Sequence, residues 1–203
     1  MRIRIRGLAK KDYRKAIKFA IDGMHFNWYM DSPLLLNLYG RYFLYSGLSR
    51  ATQVIAVYAD NVFSGVLLAD MNDEPKKYRS FSKNVYVKVF EFLQHIFFRG
   101  ADAYDMANRN MFSEYTKNNS PDGEIIFLVC NPEIKGKGLG SIILSELERR
   151  EKGKQVYLYT DNACTYQFYE HRGFERAEER KIILDLNGRR IPLDCFLYSR
   201  KIT

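Results

Sequence analysis

The stretch that decides the reading runs Val129, Cys130, Asn131, Pro132, Glu133, Ile134, Lys135, Gly136, Lys137, Gly138, Leu139, Gly140, Ser141. It is a basic, glycine-dense turn, and its flanks show what it joins. Residues 124–130 are nearly all apolar, as in a buried strand, whereas Leu139, Ile142, Ile143 and Leu147 recur at helical spacing with Ser145, Glu146, Glu148 and Arg149 opposite. The glycines therefore fall where a strand ends and a helix begins. Unpaired amides of a first helical turn and the positive end of the helix dipole attract phosphate oxygens, and glycine lets a ligand come close to the backbone. A pyrophosphate is the expected guest.

The rest of the chain is read outward from this turn. Arg2 to Arg6 alternates arginine with Ile3 and Ile5, which predicts an opening strand with one buried face. Tyr13, Ile17, Ala20, Ile21 and Met24 keep helical spacing, and Ser32 followed by Pro33 predicts a capped second helix to about Leu44, ended by Gly47. Residues 53–59 and 62–69, joined by Asp60 and Asn61, read as a hairpin. Residues 71–122 form an insertion. Its core, Phe81, Val85, Val89, Leu93 and Ile96 with Tyr86, Phe90 and Phe97, reads as a helical stripe for a core or an interface, with 85–89 alternatively a strand. Downstream, 155–160 predicts a strand, 162–172 a helix stopped by Gly173, and 180–186 and 191–200 two strands joined by Asn187 and Gly188.

A chain of 203 residues, 46% hydrophobic and 28% charged, fits one domain over 1–203 carrying the insertion at about 71–122. No apolar run is long enough for a membrane span, and the N-terminus lacks a signal-peptide core, so a cytoplasmic location is expected. Three cysteines, Cys130, Cys164 and Cys195, show neither metal spacing nor a disulfide framework and are expected as reduced packing residues. The net charge of +8 comes from scattered basic residues, which suits an anionic cofactor better than specific nucleic-acid recognition.

Three phosphate-binding designs compete for the turn. A P-loop needs Ser or Thr after its Gly-Lys pair, but Lys137 precedes Gly138. A dinucleotide fingerprint needs glycines two and three apart, whereas Gly136, Gly138 and Gly140 are two and two apart, and too little chain follows Asp161 for a doubly wound sheet. The third design fits. Leu128 to Pro132 followed by Lys135, Gly136, Lys137, Gly138, Leu139 and Gly140 resembles the acetyl-CoA motif of the GNAT superfamily of N-acetyltransferases, with Lys135 in the Arg or Gln position. Asn162, Ala163, Phe168, Tyr169, Glu170, Arg172, Gly173 and Phe174 resemble the second conserved segment of that superfamily.

The resemblance implies an α/β (α+β) fold: a mixed, mostly antiparallel sheet splayed at the cofactor site between the motif strand and the next, flanked by helices, with a partly helical insertion. It implies acetyl-CoA as co-substrate, with Leu128, Val129 and Cys130 along the pantetheine and Lys135, Gly136, Lys137, Gly138, Leu139, Gly140 and Ser141 around the pyrophosphate. Asn162 joins the cofactor contacts, and Tyr169 stands near the thioester sulfur as general acid. Asn162 and Tyr169, seven residues apart, would share one face of a helix. Glu124 is the expected base, where histone-type members place a glutamate, with Asp70, Asp102, Glu114 or a water chain as alternatives; a backbone amide near Cys130 would meet the oxyanion. His25 and His95 read as packed residues, and His171 as a partner of a helix end. No metal is expected. The expected partner is a small-molecule or peptide amine acceptor, with no specific nucleic acid and no membrane, and a homodimer is left open; a non-catalytic CoA-binding module is the alternative function.

Overall fold

In the computed structural model, described for all residues except 29, 77, 98–101, 135 and 187–188 and for side chains except also those of 93–97, 102, 186 and 189, the Arg–Ile alternation forms β1 (Ile3–Arg6). It pairs only with the strand beyond it, so the expected buried face is incomplete: Ile3 is half-buried and Ile5 is 38% exposed. Helix α1 (Tyr13–Gly23) buries Ala16, Ile17, Phe19 and Ala20. Ser32 then caps α2 (Pro33–Arg50), its hydroxyl accepting from the Leu35 amide. Gly47 does not end this helix, as spacing had suggested. The missing side chain instead admits the sheet: a β carbon there would lie 3.0 Å from both Leu68 and Phe127, so α2 presses onto the strands and runs on to Arg50.

Strands β2 (Gln53–Ala59) and β3 (Val62–Met71) form the expected hairpin, with Asp60 and Asn61 both at positive φ, 47° and 66°, as a type I′ turn demands. Residues 71–122 are helical. Helix α3 (Phe81–Phe97) packs on α2 through Tyr42–Phe90 and Tyr45–Tyr86 ring contacts, and α4 (Asp102–Tyr115) follows. The alternative strand at 85–89 is therefore replaced by helix. The stripe expected in the core divides: Phe90 and Tyr86 face α2, whereas Phe81 is 86% exposed and Val85 and Val89 also face out. The side chains of Leu93, Ile96 and Phe97 lie outside the described residues.

Strand β4 (Gly123–Cys130), α5 (Leu139–Arg150) and β5 (Gln155–Asp161) form the expected strand–turn–helix–strand unit. The helix expected over 162–172 shrinks to α6 (Gln167–Glu170). The reason is local: the Asp161 carboxylate accepts from the amides of Ala163 and Cys164, and Asn162 bonds the backbone of Asp194, so these groups are satisfied in a turn before any helix starts. Strands β6 (Glu175–Leu186) and β7 (Arg189–Lys201) complete the molecule, and Asn187 and Gly188 between them lie outside the described residues.

The seven strands order β1-β2-β3-β4-β5-β7-β6, antiparallel throughout except for β4 and β5. Helix α5 covers one face, burying Ile143, Leu144 and Leu147 with Ile55, Leu67, Ile125, Val156 and Leu158. The opposite face carries α1 and α2 over β2 to β4, and α4 over β5 to β7, in two separate apolar clusters. Each fully buried side chain such as Leu44, Ile143 or Leu147 contributes about 1.5–3 kcal/mol. The gap between those two clusters lies over the β4–β5 seam.

Candidate active site

The turn before α5 has the backbone that a phosphate cradle needs. Gly136 and Gly138 take left-handed φ values of 78° and 66°, and no atom lies within 4 Å of a β carbon built on either. Among the described residues no side chain caps α5, and its first bond to Gly138 is made by the Ile142 amide, so the amides of Leu139, Gly140 and Ser141 point out of the helix end. Gly140 serves packing, because Phe168 would lie 3.3 Å from its β carbon. The Arg172 guanidinium bonds the Ser141 hydroxyl and lies over the Phe168 ring, which places a cation beside the turn that sequence reasoning had not selected. Lys137 is exposed, and Lys135 lies outside the described residues.

The sheet opens where this turn would deliver a ligand. Parallel strands β4 and β5 pair only at Gly123 with Val156 and at Glu124 with Tyr157, then part. Along the same stretch β4 carries an extra residue: Leu68 pairs with Phe127 but Ala69 with Ile125, so Ile126 is a bulge. Leu128 and Cys130 consequently turn toward the α5 face and Ile126 and Phe127 toward α2. Within the opening, Tyr169 is half-buried against the α5-side core, in edge contact with Phe168 and Phe174. Burial first, then the neighbouring Cys164 and Cys130 thiols, pushes its hydroxyl well above the ordinary tyrosine value. Burial also raises the Cys130 thiol to about 12, and raises Cys164 to about 12 with help from Asp161.

On the other side of the seam stands Glu124. Its Oε2 is held by the Arg50 guanidinium at the end of α2 and accepts from the Tyr157 hydroxyl at 3.3 Å. Burial, then the charge of Glu124, raises both Tyr157 and Tyr159, which keeps these hydroxyls protonated. Asp70, the register partner of Glu124 on β3, is tied to Lys76. Glu114 faces solvent with Lys117 at 2.7 Å, away from the seam, and the Asp102 side chain lies outside the described residues. His25 stacks on Trp28 at 4.2 Å rather than entering the core, and the His95 side chain lies outside the described residues.

Of the expected site residues, the structure therefore gathers Cys130 and Tyr169 at one side of the opening and Glu124 at its vertex. Asn162 is corrected. It is exposed, sits in the turn after β5 and accepts from the Asp194 amide at 3.2 Å, so it does not share a helical face with Tyr169. Arg50, Tyr157, Tyr159 and Arg172 were missed. Only the tyrosines had a local signal, since alternation in a strand puts 157 and 159 on one face.

A mixed sheet splayed at its single parallel pair, with an uncapped, glycine-preceded helix at the mouth of the opening, is the architecture of the GNAT fold. Residues 106–174 match the Acetyltransferase (GNAT) family model, a segment that starts inside α4 and ends at Phe174. Among solved structures, the histone acetyltransferase HPA2 and related acetyltransferase from Corynebacterium glutamicum is similar over 100% of this chain and 98% of its own, with TM-score 0.62 and 13% identity. The PaiA N-acetyltransferase from Thermoplasma acidophilum, solved with coenzyme A, is similar over 99% of both chains, with TM-score 0.52 and 16% identity. YncA from Salmonella typhimurium, solved with its cofactor acetyl-CoA, is similar over 99% of this chain and 94% of its own, with TM-score 0.53 and 17% identity. No curated protein sequence matches the chain. The family segment covers residues 106–174, and the fold over the whole chain is that of the GNAT acetyltransferases it resembles. Among the described residues no helix is long and apolar enough to cross a membrane, and no group of three or more His, Cys, Asp or Glu could hold a metal ion.

Proposed function

We propose that this protein is a cytoplasmic N-acetyltransferase that moves acetyl from acetyl-CoA directly to a primary amine of a small molecule or peptide, within a ternary complex. The observation that carries the proposal is the parting of β4 and β5 beyond Glu124 and Tyr157, with the open amides of α5 at its mouth. In this reading the amides of 139–141, with Lys135, Lys137 and Arg172, take the pyrophosphate. The freed backbone edge of Leu128 to Cys130 takes the pantetheine amides, and Asn162 lies at the rim. An amide near Cys130 meets the carbonyl oxyanion.

An alkylamine with an ordinary pKa near ~10.4 must lose a proton before it attacks, at a cost of about 4–5 kcal/mol at neutral pH. Glu124 at the vertex takes that proton, directly or through water. The departing thiolate meets Tyr169. Burial holds the Tyr169 hydroxyl above its ordinary value, so it stays protonated and available as a donor. Tyr169 therefore serves first as a hydrogen-bond donor to the developing thiolate. The raised cysteine thiols disfavour an acyl-cysteine route, because little thiolate exists at neutral pH.

The test is release of free thiol from acetyl-CoA by the purified protein with a panel of amines, together with calorimetric titration of CoA. Amine-dependent turnover is expected; CoA binding without it would favour a second reading, a CoA-binding interaction module. That reading has one observation behind it, the outward apolar face of α3 formed by Phe81, Val85, Val89 and Phe92.

A further inference from the structure

The transfer chemistry requires a base at the vertex, yet it does not require that base to be held by a guanidinium. Arg50 comes from the far end of α2, 74 residues away in sequence, and binds the same oxygen that Tyr157 reaches. The exposures are unequal: the Arg50 side chain is 48% exposed and that of Glu124 12%, so the pair is approached from the arginine side. The neighbouring carboxylate, Asp70, is already paired with Lys76. Burial opposes the charge on Arg50, while Glu124 first and Asp70 after it hold that charge in place. Aromatic side chains of β5 and α4, Tyr157, Tyr159 and Phe112, wall the adjoining surface.

Glu124 is the poorly solvated member of the pair, and removing its counter-charge strands it. A simple cationic amine arriving at Glu124 would displace the Arg50 guanidinium from its nearest carboxylate and leave it facing the acceptor. A neutral molecule would compensate neither group. A molecule with an amine and a carboxylate replaces the pair one charge for one, and guanidinium offers a carboxylate two parallel donors.

We propose that the acceptor is a primary amine that carries its own carboxylate, with the carboxylate held by Arg50 and the amine presented to Glu124. This rests on the N-acetyltransferase reading above and narrows its substrate class. In the step itself the amine nitrogen bonds to the acetyl carbonyl carbon and the carbon–sulfur bond breaks. The bound ammonium first gives one proton through Glu124 to solvent; as the amide forms, the second amine proton passes to Glu124 and the Tyr169 proton passes to the CoA sulfur. Glu124 then releases its proton to solvent and Tyr169 is reprotonated, leaving an amide and free CoA. Arg50 acts as a specificity residue and takes no part in the proton transfers.

The test compares common amino acids with their amides and with the amines left when the carboxyl group is removed, for example tyrosine, tyrosinamide and tyramine. An amide lowers the basicity of the amine and so supplies more neutral nucleophile; chemistry without recognition would make it the faster substrate. The expected result is the reverse, with kcat/KM at least about tenfold higher for the best free amino acid, the loss expected when a charge-assisted bond is removed. R50Q should abolish that preference by raising KM for the amino acid, R50K should keep part of it, and both should bind CoA calorimetrically as the wild type does. Titration of the amino acid into the CoA complex should show binding that R50Q removes. Equal or faster acetylation of amides and simple amines, or a preference that survives in R50Q, would overturn the carboxylate assignment and leave the N-acetyltransferase reading standing. Failure to bind CoA or to acetylate any amine would overturn both.

Discussion

Glu124 and Tyr157 are register partners, the last before β4 and β5 separate, and the Tyr157 hydroxyl donates to Glu124 Oε2 at 3.3 Å. A carboxylate fixed at the apex of the opening is placed to serve both the acceptor and the sheet. E124Q keeps the shape and removes the base, so kcat should fall about tenfold or more while KM for acetyl-CoA stays within about twofold. Steady-state kinetics checks this, and an unchanged kcat would remove Glu124 from the chemistry.

Tyr169 lies on the other side of the same opening, its hydroxyl kept protonated by burial. Y169F retains the ring contacts with Phe168 and Phe174 and loses only the donor. It should lower kcat about tenfold to a hundredfold with little change in cofactor affinity. A loss confined to KM would make Tyr169 a binding residue instead.

Gly138 combines φ of 66° with open space where its side chain would be. G138V would both strain the turn and occupy the space above the α5 amides, at a conformational cost of about 1–2 kcal/mol before any ligand is considered. CoA binding by calorimetry should be lost while the protein stays folded by circular dichroism. Normal affinity would move the pyrophosphate elsewhere.

Gly47 predicts a stability effect. A valine there must fit a β carbon 3.0 Å from Leu68 and Phe127 before its methyl groups are placed, so G47V should destabilise by about 1–3 kcal/mol and lower Tm. An unshifted melting curve would mean that α2 can lift from the sheet without cost.

Glu146 is held down to about 2 by Arg149, with Arg150 adding to the effect against some burial. The folded carboxylate is therefore a stronger acid than the unfolded one. Its stabilising contribution is complete above an unfolded pKa near ~4.3 and disappears as pH falls through about 2. E146Q should accordingly flatten the acid limb of stability between those values, as read from urea midpoints at a series of pH values; an unchanged limb would show that the arginines are screened by solvent.

The elements legible in the sequence were those specified by neighbours. Asp60 and Asn61 carry their turn in their own φ preferences, and Ser32 with Pro33 carries a helix start. The glycines of the α5 turn likewise announce a strand-to-helix junction. Gly47 misled because its role is set by Leu68 and Phe127, which stand close only after folding. The 162–172 segment misled for the same reason, since Asn162 bonds to Asp194, a residue 32 positions later. Arg50 had no local signal, because its partner Glu124 reaches it only through the sheet.

The extra residue at Ile126 changes what insertions and deletions mean along this chain. Before it, odd-numbered positions of β4 such as Ile125 look toward α5; after it, even-numbered ones such as Leu128 and Cys130 do. The strand is thus written in two reading frames, spliced at one amino acid. Losing Ile126 would close the bulge and leave those faces as they are, whereas losing Leu128 would exchange the sides of Val129 and Cys130, turning the proposed cofactor edge inside out. Beyond the bulge, the strand therefore tolerates a change of side chain far better than a change of length.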